Sequence, residues 1–220
     1  MPTVVITGAN RGIGLELARQ FKKRGDQVVA ACRKSSDELA KLDIEVMEGV
    51  DVADDASVGR LASSFENRKI DVLVNCAGIL SDESLGDLDF DRIRTQFEVN
   101  SLGPLRVTAA LKNNLRQGSK VAIVTSRMGS IEDNTSGGRY GYRMSKAAVN
   151  MAGRSLANDL KDDGVAVAIL HPGFVRTDMT GHQGLIDPPE SAAGMISRID
   201  EMTLETTGTF WHTNGEIIPW

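Results

Sequence analysis

Thr3-Val4-Val5-Ile6-Thr7-Gly8-Ala9-Asn10-Arg11-Gly12-Ile13-Gly14 is the stretch on which the fold turns. A β-branched run ends in three glycines, and apolar residues at Ile13, Leu17 and Phe21 then recur at helical spacing as far as Arg24. This reads as strand, glycine-rich turn, helix. Working outward, Gly25-Asp26 punctuates and Gln27–Cys32 is a second apolar strand. Glu38–Leu42, Asp54–Glu66, the long stretch from Phe90 to about Arg116, Tyr142–Lys161 and Pro189–Met202 read as helices. Gly103-Pro104 is expected to distort the third of these. Ile44–Met47, Asp71–Val74, Lys120–Thr125, Val165–Leu170 and Thr209–Trp211 read as the remaining strands. Nearly continuous apolar strands alternating with crossover helices imply an α/β fold, a doubly wound parallel sheet with helices on both faces. With no repeat or linker, the expectation is a single domain over residues 1–220.

Composition agrees with one globular unit: 41% of the 220 residues are hydrophobic and 25% charged. Lys and Arg number 25 against 30 Asp and Glu, a formal charge of −5 that disfavours nucleic acid and anionic membrane surfaces as partners. No apolar run is long enough to span a bilayer. The strand beginning at Thr3 leaves no room for a leader, and Cys32 and Cys76 have neither framework nor metal-ligand spacing. Together these imply a reduced, cytoplasmic protein with no metal site.

Ligands of such sheets bind at the carboxyl ends of the strands, near the reversal of strand order. At the first strand end, Gly8, Gly12 and Gly14 allow a tight turn and let a pyrophosphate approach the α-helix N-terminus, where free N–H groups favour anions. The spacing Gly-x-x-x-Gly-x-Gly differs from both the Gly-x-Gly-x-x-Gly fingerprint and the Walker loop. Tyr142 and Lys146 are four apart on a predicted helix and so share a face. An ammonium beside a phenol favours its ionised form and lowers its pKa. Tyr140 is the rival tyrosine, but Met144 stands four residues beyond it.

Four motifs in register, Thr7-Gly8-x-x-x-Gly12-x-Gly14, Asn75-x-Ala77-Gly78, Tyr142-x-x-x-Lys146 and Pro172-Gly173 followed by Thr177, resemble the short-chain dehydrogenase/reductase family over nearly the whole chain. The stretch Ser126–Lys146 and the tail Asn214–Trp220 resemble its sniffer and C-factor-like carbonyl-reductase branch. The resemblance implies an oxidoreductase that reduces small aldehydes, ketones or quinones. In it Tyr142 is general acid/base, Lys146 lowers the Tyr142 pKa and binds ribose, Ser126 orients the carbonyl and Asn100 supports a proton relay. Thr125 and Ser130 stand as alternatives to Ser126, and a locally satisfied helix-interior amide as the alternative for Asn100. The nicotinamide cofactor would lie on Gly8, Asn10, Arg11, Gly12, Ile13, Gly14, Arg33, Asp51, Val52, Asn75, Ala77, Gly78, Tyr142, Lys146, Pro172, Gly173, Val175 and Thr177. Cys76 replaces the second asparagine of the commoner Asn-Asn-Ala-Gly form.

Ala31-Cys32-Arg33-Lys34 closes the second strand without the carboxylate typical of NAD users. Arg11 and Arg33 could clamp a 2′-phosphate, so NADP(H) is expected over NAD(H); a merely solvated Arg33-Lys34 is the alternative. Only about ten residues, Thr180 to Pro189, follow the Pro172-Gly173 loop before the next helix, implying a short substrate lid, read as mobile from its glycines and prolines, with a rigid turn as the alternative. The family implies a homo-oligomer, most simply a dimer, paired through helices placed around 101–117 and 142–161. The alternative function is a catalytically weak NADP(H)-binding regulatory or signalling protein.

Overall fold

The computed structural model describes all residues, Met1–Trp220. Seven parallel strands form one sheet: β1 (Thr3–Thr7), β2 (Gln27–Ala31), β3 (Glu45–Met47), β4 (Ile70–Asn75), β5 (Leu115–Val124), β6 (Ala166–His171) and β7 (Phe210–His212). Their order is β3-β2-β1-β4-β5-β6-β7, so the chain winds outward from β1, returns, and winds out the other way from β4. The reversal falls between β1 and β4, where the helices on either side diverge and leave a crevice at the strand ends.

The helices are α1 (Gly12–Arg24), α2 (Asp37–Ala40), α3 (Asp55–Ser63), α4 (Phe90–Phe97), α5 (Gly103–Ala110), α6 (Tyr140–Asp159) and α7 (Pro188–Glu201). Alternate strand residues feed two cores. Val4, Ile6, Val72 and Val74 pack with Leu17, Phe21, Met195 and Ile199 beneath α1 and α7. Val5, Leu73, Val121 and Ile123 pack with Val58, Leu61, Val107 and Val149 beneath α3, α5 and α6. Burial on both faces explains why the strands read as apolar runs rather than alternating ones.

The sequence places a proline-induced distortion at Gly103-Pro104, and the structure moves it. The chain passes from α4 into a π-helical turn at Glu98–Leu102 and only then into α5, with Pro104 in the first turn, where a missing N–H does no harm. Gly103 is needed for contact rather than flexibility: a Cβ there would stand 2.9 Å from Val52 Cγ2. The helix expected to reach Arg116 ends at Ala110, and β5 begins at Leu115. Between them the Asn114 amide donates to the carbonyls of Phe65 (2.6 Å) and Arg68 (2.8 Å), drawing the chain into the sheet five residues early.

Candidate active site

A cleft of about 410 Å³ lies at the β1/β4 reversal. Its floor at one end is the glycine turn. Gly8 and Gly12 have φ of +69° and +55°, and a Cβ on Gly8 would stand 2.7 Å from Ala77 Cα. A side chain on Gly14 would collide with the Gly8 carbonyl. The N-terminus of α1 has no side-chain cap and no acid in its first turn, so its N–H groups face the cleft unbonded by side chains. Thr7, which sequence reasoning did not assign, accepts from the amides of Cys76 (3.1 Å) and Ala77 (3.2 Å) and so binds the ends of β1 and β4 together. Its sequence signal is its place as the first residue of the glycine motif, which carried no role for the side chain. Asn10 ties the turn to the β2 loop: its amide donates to Lys34 O (3.0 Å), and its carbonyl accepts from Ser36 Oγ (2.7 Å).

Arg33, Asp51 and Val52 line the cleft with the glycine turn. Asp51 Oδ1 accepts from the Ala53 amide at 2.9 Å, which fixes the carboxylate at the end of β3. Arg33 is exposed at the rim. Arg11 instead reaches across the mouth to Asp178 Oδ2 at 3.4 Å. Both partners are well exposed, so this is a weak contact that a stronger anion can displace. Glu48 brings an unforeseen carboxylate to the same neighbourhood, accepting from the Ser35 amide at 2.9 Å. It arrives from the end of β3, so no reading of the β2 end alone could find it.

At the other end of the cleft, α6 crosses the end of β5. Lys146 is buried and donates to Val124 O at 3.0 Å, with its Nζ 5.7 Å from the centre of the Tyr142 ring. Burial pushes the Lys146 ammonium down to about 8, the nearby Cys76 opposing slightly. Burial also pushes the Tyr142 phenol up to about 12, against a hydrogen bond with Ser126 and the charge of Arg139. This is opposite to the lowering expected from Lys146: desolvation outweighs the charges the protein itself supplies. Burial holds the Cys76 thiol at about 11, which makes it a poor nucleophile despite its place in the cleft wall.

Ser126 follows β5 with its Oγ accepting from the Met128 amide at 3.1 Å, and its hydroxyl stands beside the Tyr142 phenol. The alternative hydroxyls are engaged elsewhere: Thr125 donates to Asn150 Oδ1 (2.6 Å), and Ser130 accepts from the Asp133 amide (3.1 Å). Asn100 sits in the π-turn, fully buried. Its Oδ1 accepts from the Ile79 amide (2.9 Å), and its Nδ2 donates to Ile79 O (2.9 Å) and Ser145 Oγ (3.0 Å). The side chain thus clamps the loop after β4 onto α6. A Cβ on Gly78 would lie 3.3 Å from Asn100 Oδ1 and 3.8 Å from Lys146 Nζ, so a side chain there would press on Asn100.

Asn75 departs from its expected place. Its side chain turns away from the cleft and donates to Thr108 Oγ1 at 3.0 Å, inside the core beneath α5. As the last strand residue its face is set by the pleat, which puts it opposite to the cleft wall formed by Cys76, Ala77 and Gly78. Gly173 and Val175 also stand behind the lining, of which Pro172 and Thr177 are part. Val50, Ile79, Val99, Val124 and Met179 supply apolar walls to which sequence reasoning gave no site role.

The lid is pinned rather than loose. Val175 pairs with Ile186, Leu185 donates to Phe174 O (2.7 Å), and Arg176 donates from its amide to Ile186 O (3.1 Å) and from its side chain to Asp187 (3.0 Å). Gly184 packs so tightly that a Cβ would stand 2.7 Å from Arg176 N. The rigid-turn alternative therefore describes this loop. Hydrogen exchange should find the amides of Leu185 and Arg176 protected well beyond that of an exposed loop residue such as Ser136, with or without dinucleotide. Exchange as fast as Ser136 would contradict the pinned geometry.

Residues 2–185 match the family model for short chain dehydrogenase, and the chain belongs to that family. Over its whole length it is 46% identical to the whole of a Rhodococcus sp. (strain AD45) protein, 1-hydroxy-2-glutathionyl-2-methyl-3-butene dehydrogenase. Among solved structures, the carbonyl reductase Sniffer of D. melanogaster superposes with a TM-score of 0.93 at 27% identity, all of both chains being covered. An NADPH-bound carbonyl reductase from chicken fatty liver gives a TM-score of 0.91 at 25% identity, covering 100% of this chain and 99% of that one. The protein is thus an oxidoreductase-family member built like carbonyl reductases.

Proposed function

We propose that the protein is an NADPH-dependent reductase of small aldehydes, ketones or quinones. The observation that carries this reading is the meeting of Tyr142 and Lys146, with Ser126 beside the phenol, at one end of a cleft whose other end is an uncapped helix N-terminus on a glycine turn. The glycine turn suits a dinucleotide, because Gly8 and Gly14, where a Cβ would collide with the backbone of Ala77 and of Gly8, keep the turn tight against an uncapped helix N-terminus that favours a pyrophosphate. Gly8, Asn10, Arg11, Gly12, Ile13 and Gly14 would hold the phosphates, Asp51 and Val52 the adenosine, and Lys146, Pro172 and Thr177 the nicotinamide half. When bound, that group supplies the hydride.

The chain's own side chains supply the rest. Ser126 hydrogen-bonds the carbonyl oxygen and fixes it against Tyr142. Tyr142 is protonated at neutral pH and gives its phenolic proton to that oxygen as charge develops on it. Lys146 holds a positive charge beside the phenol and stabilises the phenolate left behind. Asn100 positions the Gly78–Ile79 loop and connects Lys146 to the relay that restores the proton. The relative's alcohol substrate extends the reading to the reverse direction and to conjugated alcohols and aldehydes of that kind. Exposed Leu105, Met144 and Met151 on α5 and α6 support a dimer formed through these helices.

For the nucleotide preference, Arg11 and Arg33 favour a 2′-phosphate and Glu48 opposes it. Two guanidinium contacts outweigh one carboxylate already anchored on the Ser35 amide. Steady-state kinetics with a panel of aldehydes, ketones and quinones should give a kcat/KM for NADPH at least about tenfold above that for NADH. Arg33→Ala should remove most of the difference, and Glu48→Gln should widen it. A preference for NADH in the unaltered protein would overturn the assignment.

A further inference from the structure

A second cleft, of about 490 Å³, opens beside the reacting groups. It lies between the loop after β4 (Asp82, Glu83, Ser84, Asp87) and the segment leading into α6 (Ser136, Gly137, Gly138, Arg139, Arg143), with Met128 as its one apolar lining residue. It is linked to the proposed catalytic end through Ser126 and through Arg139, whose charge acts on Tyr142. Met128 donates its amide to Ser126 Oγ, and Arg139 and Arg143 flank Tyr142 along the chain. A hydrocarbon tail would find almost nothing to pack against here, so this polar cleft calls for a polar occupant.

Its charged groups divide into two sets. Asp82 accepts from Arg139 Nε at 2.5 Å, closing that pair. Glu83 is buried with both oxygens engaged, one by Ser81 and by Gln96 (3.1 Å), the other by the Gly141 amide (3.3 Å) at the start of α6. Arg143 and Asp87 are different. The Arg143 guanidinium donates only to neutral groups, the carbonyls of Gly137 and Gly138 (3.2 Å each) and Ser136 Oγ (2.8 Å). Asp87 is exposed, and only its backbone amide is bonded, to Ser84 O at 3.0 Å. The cleft therefore presents one cation braced at three points and, from the opposite loop, one carboxylate outside any ion pair. Bracing by neutral acceptors fixes the guanidinium without neutralising it, which lowers the entropy lost when it takes an anion.

We propose that this cleft holds the part of the substrate remote from the reacting carbon, and that this part is a zwitterionic amino-acid or small-peptide arm. Its carboxylate docks on Arg143 and its ammonium on Asp87. The assignment rests on the reading of Tyr142, Lys146 and Ser126 as the reacting end, since it is their neighbourhood that makes the cleft a substrate subsite.

The test compares two aldehydes of similar length, one carried on glutathione through a thioether and one uncharged, in the unaltered protein, Arg143→Gln and Asp87→Asn. Glutamine keeps a donor for the Gly137 and Gly138 carbonyls while removing the charge. Arg143→Gln should lose roughly ten- to a hundredfold in kcat/KM for the conjugate, chiefly through KM, and Asp87→Asn several-fold, both leaving the uncharged aldehyde unchanged. Equal losses for the two aldehydes, or no loss for the conjugate, would overturn the subsite. If the unaltered protein reduces neither aldehyde, the reaction assigned to Tyr142 fails instead, and the subsite is then read by calorimetry with S-methylglutathione. Binding that Arg143→Gln abolishes supports the subsite; no binding, or binding that the substitution leaves intact, overturns it.

Discussion

Tyr142→Phe should lower kcat for carbonyl reduction by about 10²–10⁴-fold while leaving NADPH affinity within about twofold. The substitution removes one oxygen and keeps the ring that forms part of the cleft wall. Burial holds the phenol protonated, up at about 12, so at neutral pH the residue carries the proton a nascent alkoxide requires. Phenylalanine can donate nothing to the carbonyl oxygen. Fluorescence titration with NADPH beside steady-state kinetics separates the two quantities. A variant with near-normal kcat would move the acid to another group. The same burial disfavours the phenolate that alcohol oxidation needs, so oxidation should reach its optimum at a more alkaline pH than reduction.

Lys146→Met should abolish turnover, by at least about 10²-fold, and yet raise the melting temperature. The ammonium is buried and pushed from its ordinary 10.5 to about 8, so the fold disfavours the charged form that the unfolded chain holds freely. The sign follows: the unfolded chain binds this proton more tightly, so the penalty is complete below pH 8 and fades as pH rises from there towards 10.5. At pH 7 it amounts to about 3 kcal/mol. Against it stands the hydrogen bond to Val124 O, about 1 kcal/mol. Methionine fills the same volume without charge, so thermal unfolding at pH 7 should move up by a few degrees. In the unaltered protein, reduction should decline as pH rises through about 8, where Lys146 loses its proton. A destabilised Lys146→Met variant that still turned over would contradict both the burial argument and the assigned role.

The strands and their order of winding were legible because both sheet faces are covered, so that Val4, Val5 and Ile6 are all apolar although they point to opposite cores. Gly8, Gly12 and Gly14 announced the cleft because backbone crowding leaves no other residue possible at the first and last of them. Tyr142 and Lys146 stood out from helical spacing only in company with the other three motifs, since a Tyr and a Lys four apart are common on any helix surface. What escaped notice depends on long-range packing. Asn75 belongs to a recognisable motif, yet the pleat of β4 turns its side chain to Thr108. The π-turn that brings Asn100 to Ile79 has no local signature beyond the neighbouring Gly103-Pro104. The lid looked loose from its composition, but Val175 and Ile186 pair across eleven residues, a contact that no window of sequence reveals. Glu48 comes near the β2 end from a segment that carries no motif, and Asp178 follows the Pro172–Thr177 motif directly but meets Arg11 only through the fold.

The most direct measurement follows the hydride itself. NADPH carrying deuterium at the transferable position of the nicotinamide is incubated with the protein and an aldehyde, and the product alcohol is examined by mass spectrometry and NMR. The account predicts one deuterium per molecule on the former carbonyl carbon, formed in step with NADPH oxidation and suppressed by Tyr142→Phe. NADPH oxidation that leaves no deuterium in the alcohol, or label transfer that Tyr142→Phe does not slow, would contradict it.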